Sequence, residues 1–530
     1  MAVLRGAGYD PQAAAWRVPE HYNIAVDVAD WHARDALAMI WVDYHSRTRD
    51  VSWGEMRDLS CQFANLYRHR GATRGDVVAV LLPQLPETAA AYLGAYRVGA
   101  ILLTMSVLWS DEQVATRLES SGCRLVVTDT ANAFRLHDVA ARRDVDVIVL
   151  EEAGHLAEPS TFDTVRTRAD DPAQLYYTSG TTGPAKGILH AHRNLIGHNE
   201  FEHCHDLRPG ELFYGAGEWA WSYAKLMGPW RVGAIHLAYA HERGFEPNGL
   251  LRAMSRYQVT NVFLNPTLLR IMRATADPEA LALPQKLRVV CSSNEPLPAD
   301  LLAWFEDHFG VPIYEFYGMT ESYPMVGYAP GQEIRPGSMG TVVPGWDVQL
   351  LDEQDQPVHT GEAGEICLRA HHNPQYPLEI WHDPEATARH LGHTWFRTGD
   401  TARIDQDGYW YFLGRNDDVI KTSGYRVGPY EIEEVLNAHP AVAASGVIGV
   451  PDDVRGQAVH AYVVVGDGHT GDDALTRELQ DWVRQRHSRF AYPRGVTYVD
   501  TLPTSATGKV QRAHLRGRYL RRAVPASAAE

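Results

Sequence analysis

Residues 176–187 read Tyr-Tyr-Thr-Ser-Gly-Thr-Thr-Gly-Pro-Ala-Lys-Gly. These are the parts of an anion cradle. Glycine lets backbone N–H groups crowd around a charge, the hydroxyls add donors, and Lys186 adds a mobile cation. The composition suits a polyphosphate. It is not a Walker A loop, because no Gly-Lys-Ser/Thr stands at the required spacing. A second group, His203-Cys204-His205, holds metal-ligand types. Adjacent residues rarely chelate one ion without distant partners, so it reads as packing. The cysteines (Cys61, Cys123, Cys204, Cys291 and Cys367) are scattered with no C-x-x-C. That fits a reducing cytoplasm better than a secreted disulfide framework.

A cradle needs a rigid frame. The chain has 530 residues, 45% apolar and 22% charged, which is the composition of a globular protein. Its formal charge of −17 argues against non-specific binding to nucleic acid or to an anionic membrane. It leaves room for one local anion site. The first twenty residues contain Arg5, Asp10, Arg17 and Glu20 and no long apolar core, so no secretory leader is expected. The most hydrophobic stretch, 98–109, is too short to span a bilayer.

Short apolar runs alternate with amphipathic stretches. Strands are expected at 77–82, 101–103 and 124–128, with helices at 87–98 and from Ser110, whose capping box with Gln113 opens the second. The alternation returns as helix 248–257, strand 261–264, helix 266–275, strand 287–291, helix 298–309 and strand 312–316. This predicts parallel sheet with helices on both faces. Beyond about 328, turn signals crowd in and short alternating runs suggest antiparallel sheet, a small β-barrel. A third, mixed α+β texture begins near Gly414.

The loop string resembles the phosphate loop of the adenylate-forming superfamily, which contains acyl-CoA synthetases, adenylation domains and luciferase-like enzymes. More motifs follow in the family's order: Glu315-Phe316-Tyr317-Gly318-Met319-Thr320-Glu321, Gly364 to Arg369, Trp395 to Asp400, Gly414 to Lys421, Ser423 to Arg426, and Pro503 to Lys509. The series is most similar to medium-chain and aromatic acyl-CoA ligases. It implies an α/β fold: a large N-terminal domain over 1–413, barrel-like at about 329–413, a hinge at 414–418, and a small mobile α+β domain over 419–530.

The resemblance also implies roles. Thr178, Ser179, Gly180, Thr181, Thr182, Gly183 and Lys186 would hold the β- and γ-phosphates of ATP. Glu321 would bind Mg²⁺, a hard cation that prefers carboxylate oxygen, and Thr320 would touch the α-phosphate. Asp400 and Arg415 would hold the ribose. Tyr317, with Gly318 and Met319, would cover the adenine, and Asn294, Glu295 and Pro296 would line its other face. Arg426 would meet the adenylate. Lys509 would bridge the acyl carboxylate and the α-phosphate as the catalytic lysine. The small domain would rotate about Asp417 between the two half-reactions, and Gly424 would line the pantetheine tunnel.

The acyl pocket is expected at Trp219, Trp221 and Tyr223, with Gly318 leaving space for an acid larger than acetate; the bland alternative is that these aromatics are core. Where the family has Gly-Glu-Pro, this chain has Asn294-Glu295-Pro296, which puts a side chain where none is usual. Implied partners are a carboxylic acid and coenzyme A, with a phosphopantetheinyl carrier protein as the alternative acceptor. A non-catalytic nucleotide-binding relative is the third reading. A homodimer is compatible with all three.

Overall fold

The computed structural model describes residues 6–152, 154, 157–178, 186–241, 244–416, 418–422, 425–452, 455–466, 468–486, 492–504 and 510–523. Ser179 to Gly183, Asp417, Gly424 and Lys509 lie outside them, and the side chains of Thr178 and Arg426 are likewise not described.

The alternating apolar runs form two sheets. In the first, Pro172–Thr178, Ile101–Met105, Val77–Leu81, Leu125–Thr128 and Asp146–Val149 lie parallel, and Lys186–Ala191 returns antiparallel to Pro172–Thr178. The second runs through thirteen strands. Its parallel half is Ile313–Met319, Val289–Ser292, Asn261–Phe263, Leu212–Gly215, Ile235–Ala240 and Leu37–Asp43. Pairing of Ile313–Met319 with Ser322–Gly327 then turns the ladder antiparallel, through Ser338–Val342, Trp410–Arg415, Trp395–Ile404, Gly364–Arg369 and Val348–Leu351. The expected antiparallel segment is therefore present, but as an open continuation of the parallel sheet. Among the described residues no pairing joins Val348–Leu351 back to close a barrel.

Helix Pro86–Val98 is buried on almost every side because it runs through the centre of the N-terminal core. It starts with proline in the first turn and stops at Gly99, whose φ of 75° is the left-handed helix-ending conformation. It packs against helix Trp53–His69 so closely that a Cβ on Gly94 would lie 2.7 Å from Phe63 Cβ. The capping box at Ser110 is formed, with Ser110 Oγ accepting from Gln113 N–H and the Gln113 side chain accepting from Ser110 N–H. The C-terminal unit is a five-stranded sheet covered by helices Pro429–Asn437, Asp473–Arg486 and Arg512–Ala523.

Candidate active site

Open parallel sheets bind ligands beyond the carboxyl ends of their strands. Here those ends carry the motif residues. Ile313–Met319 and Ser322–Gly327 form a tight hairpin in which Met319 pairs with Ser322. Thr320 and Glu321 are its tip, Thr320 exposed and Glu321 half-buried. On the neighbouring sheet Lys186 pairs in register with Thr178, at the two ends of the hydroxyl-rich loop. Lys186 is exposed.

Tyr317 donates its hydroxyl to Asp400 Oδ2 at 2.6 Å, and Arg415 Nε lies 3.6 Å from Asp400 Oδ1. Asp400 and Arg415 are paired residues of adjacent antiparallel strands. Gly399 allows this, since its φ is 76° and a Cβ there would sit 3.0 Å from Arg415 Nη2. Burial pushes the Glu321 carboxyl above its ordinary value and Asp400 adds to this, while Arg415 and Lys186 pull the other way. Lys186, Glu321, Asp400 and Arg415 thus share one electrostatic environment, although they come from four separate motifs.

His190 sits behind the hairpin tip, and nothing in the sequence marks it beyond its place after the loop. Its Nε2 is 3.1 Å from the Thr320 carbonyl and its Nδ1 is 3.1 Å from the Gln375 carbonyl. Asn194 Nδ2 lies 2.9 Å from His190 Nδ1, and Tyr223 donates its hydroxyl to Asn194 Oδ1 at 2.7 Å. A neutral ring has one N–H, so the tautomer decides which of the Thr320 and Gln375 carbonyls His190 holds. Burial brings His190 down to about 4, so the ring is neutral. Gln375 clamps the other side of the tip, since its amide oxygen accepts from Tyr323 N–H at 2.8 Å and its amide nitrogen donates to the Tyr323 carbonyl. Gln375 lies 52 residues from Tyr323 in sequence, which is why no local pattern points to it.

Two expectations change. Gly318 does not leave open space: a Cβ there would lie 2.5 Å from Tyr323 Cδ2 and 2.8 Å from the Ser322 carbonyl. The hairpin, not the acyl group, needs a glycine at 318. Trp219 and Tyr223 are core residues with 1% and 0% exposure, because the Trp219 ring packs on His236 and the Tyr223 hydroxyl is committed to Asn194. Only Trp221 of the aromatic run stays exposed, edge-on to Trp109. At the remaining positions, Asn294 is exposed with φ of 81°, a left-handed conformation that asparagine tolerates and most residues do not. Glu295 is tied to helix Pro266–Thr275 by Thr267 N–H at 3.0 Å and Arg270 at 2.9 Å. Pro296 and Met319 are half-buried beside them.

Glu321 suits Mg²⁺. That ion is bound through one or two carboxylates and completes its shell with water and substrate phosphates. Among the described residues no group of three ligand side chains stands ready to cage an ion.

The motif residues thus gather at the carboxyl ends of strands in the two large sheets, and comparison with known proteins gives the chain's family. Residues 27–374 match the AMP-binding enzyme family and residues 431–509 match the AMP-binding enzyme C-terminal domain. The chain belongs to that family. It is 31% identical to the mitochondrial acyl-coenzyme A synthetase ACSM3 of Mus musculus, over 94% of this chain and 91% of that one. An anthranilate CoA ligase, AuaEII, solved with anthranoyl-AMP, superposes with a TM-score of 0.85 at 26% identity, covering 96% and 99% of the two chains. ATP-bound MatB of Rhodopseudomonas palustris gives 0.84 at 26% identity, covering 94% and 98%. The protein is an ATP-dependent, AMP-forming acyl-CoA ligase. No helix among the described residues is long and apolar enough to cross a membrane.

Proposed function

We propose that this ligase activates a carboxylic acid larger than acetate, with a medium-chain or aromatic carbon frame, and passes it to coenzyme A. The acid's carboxylate oxygen attacks the α-phosphorus of ATP, the bond to the β-phosphate oxygen breaks, and pyrophosphate leaves. The thiol of coenzyme A then attacks the acyl carbon, AMP leaves, and the thiol proton is released. Positioning and electrostatics supply most of such catalysis. The observation that carries the reading is the convergence of Lys186, Asp400 and Arg415 around Glu321, with Tyr317 bonded to Asp400.

In this proposal Lys186 and the hydroxyls of 178–182 grip the β- and γ-phosphates. Asp400 and Arg415 hold the ribose, Tyr317 and the Asn294–Pro296 turn flank the adenine, and Arg426 meets the adenylate. Mg²⁺, held through Glu321, would neutralise phosphate charge. Thr320, its carbonyl beside His190, meets the α-phosphate. Lys509 serves adenylation from the small domain, Asp417 is the pivot, and Gly424 borders the thiol's path. The domains are 1–413 and 419–530. The name of one structural relative, the anthranilate CoA ligase AuaEII, supports an aromatic acid. The cytoplasmic setting belongs to this proposal, and five unpaired buried cysteines are compatible with it.

A pyrophosphate-release screen across short, medium, branched and aromatic acids tests the substrate class. Acetate should rank last, and a ranking led by acetate refutes the size assignment. Lys509→Ala should abolish pyrophosphate release yet largely spare thioester formation from supplied acyl-AMP. Equal loss of both half-reactions would remove Lys509 from the role.

A further inference from the structure

Lys225 is a cation that the reaction described above does not use. It follows the aromatic run, on helix Ala224–Val232. Its ammonium donates to the Ala216 carbonyl at 3.0 Å and lies 4.6 Å from the centre of the Phe263 ring. Ala216 and Gly217 come just after strand Leu212–Gly215, and Phe263 ends its neighbour Asn261–Phe263. Gly217, with φ of 84°, bends the chain around the ammonium, and a Cβ there would lie 3.6 Å from Nζ. Lys225 therefore stands on the same carboxyl-end rim as the hairpin tip. Two strand spacings separate Asn261–Phe263 from Ile313–Met319, a sideways offset of about 10 Å.

An ammonium carries three donors, and here one carbonyl and one ring face are its partners. Among the described residues no carboxylate lies within ion-pairing distance of it. Burial alone brings it down to about 8, with no charged neighbour contributing. It therefore remains mostly protonated at neutral pH. Lys225 is not sealed off, and part of the residue stays accessible. An apolar acyl tail laid against it would strip its remaining water and return nothing, which is unfavourable for a buried charge. A carboxylate would supply both the missing charge and the missing acceptors.

We propose that Lys225 makes this ligase selective for acids that carry a second carboxylate at the end remote from the one that is activated. This inference rests on the acyl-CoA ligase reading and names the substrate class of that same site. The second carboxylate forms an ion pair with Nζ and undergoes no reaction.

The test compares matched acids, octanedioate with octanoate and benzene-1,4-dicarboxylate with benzoate, by AMP and thioester formation in the full-length enzyme. The wild type should prefer at least one diacid to its partner by about tenfold or more in kcat/KM, the size expected for one charge-assisted hydrogen bond. Lys225→Met should remove that preference and leave octanoate or benzoate turnover within a few-fold, and Lys225→Arg should restore part of it. A wild type that prefers both monoacids overturns the proposal. So does a Lys225→Met variant that loses all acids equally with a lowered melting temperature, since Lys225 would then be a structural cap. Absence of turnover with every acid would instead strike the ligase reading itself.

Discussion

Tyr317 and Asp400 form the bond on which the nucleotide end of the proposed site is built. Removing the phenol takes a donor from a carboxylate that is 7% exposed. Tyr317→Phe should raise the KM for ATP about tenfold, which corresponds to about 1.4 kcal/mol, with thioester formation from supplied acyl-AMP affected less. ATP–pyrophosphate exchange measures it, and an unchanged KM would take Tyr317 out of nucleotide binding. Asn294 was legible as a departure from the family pattern, but the reason was not, because φ cannot be read from residue type. At φ of 81°, Asn294→Gly should be nearly neutral, whereas Asn294→Val should cost about 1–2 kcal/mol in urea unfolding. Equal stability of the two variants would contradict the left-handed backbone. Gly318 was misread for a related reason. What forbids a side chain there is Tyr323 across the hairpin, a contact that exists only after folding.

Among elements, the parallel strands were the most legible, since strands buried on both faces leave continuous apolar runs. The antiparallel half was legible in texture and not in topology, because alternation does not say which strand pairs with which. The segment proposed as a pivot shows how elements divide a chain. On its N-terminal side Asn416 N–H donates to the Gly399 carbonyl at 2.7 Å, and Asn416 Oδ1 accepts from Thr401. On its C-terminal side Asp418 pairs with Arg516 at 2.6 Å and with Arg512 at 3.7 Å. Arg512 is buried and bound to Glu433 at 2.6 Å. The first flank is tied to the sheet; the second meets helix Arg512–Ala523 and also donates from Asp418 and Val419 N–H to the Arg415 carbonyl, at 2.9 and 2.7 Å. Asp417→Pro should fix one orientation and slow one half-reaction about tenfold or more while sparing the other. Rates that both stay unchanged would refute the pivot.

At the scale of the whole molecule, the chain buries histidines in both large sheets and in the small domain. His192, His205 and His236 are at most 1% exposed. Burial pushes His192 to about 3 and His205 and His236 to about 4, from 6.5. His241 and His460 are likewise brought to about 4 by burial. In each case the folded value lies below the unfolded one. Above about 6.5 these rings are neutral in both states and cost nothing. As pH falls from 6.5 toward 4 the unfolded chain binds protons that the folded chain refuses, so stability is lost. Glu315 opposes this. Burial, with Glu434 and Glu295 nearby, lifts it to about 8, so it favours the fold as pH falls from about 8 to 4.5. With His190, also at about 4, six histidines outweigh Glu315 once pH is below 6.5, while the carboxyls of Glu202, Glu218, Glu321, Glu433 and Glu434, which burial also raises, soften the fall. The urea midpoint should therefore rise slightly from pH 8 to 7, as Glu315 takes up its proton, and then fall steeply between 6.5 and 4, with net proton uptake on unfolding. A midpoint that stays level down to pH 5 would mean that these rings reach water in the native protein.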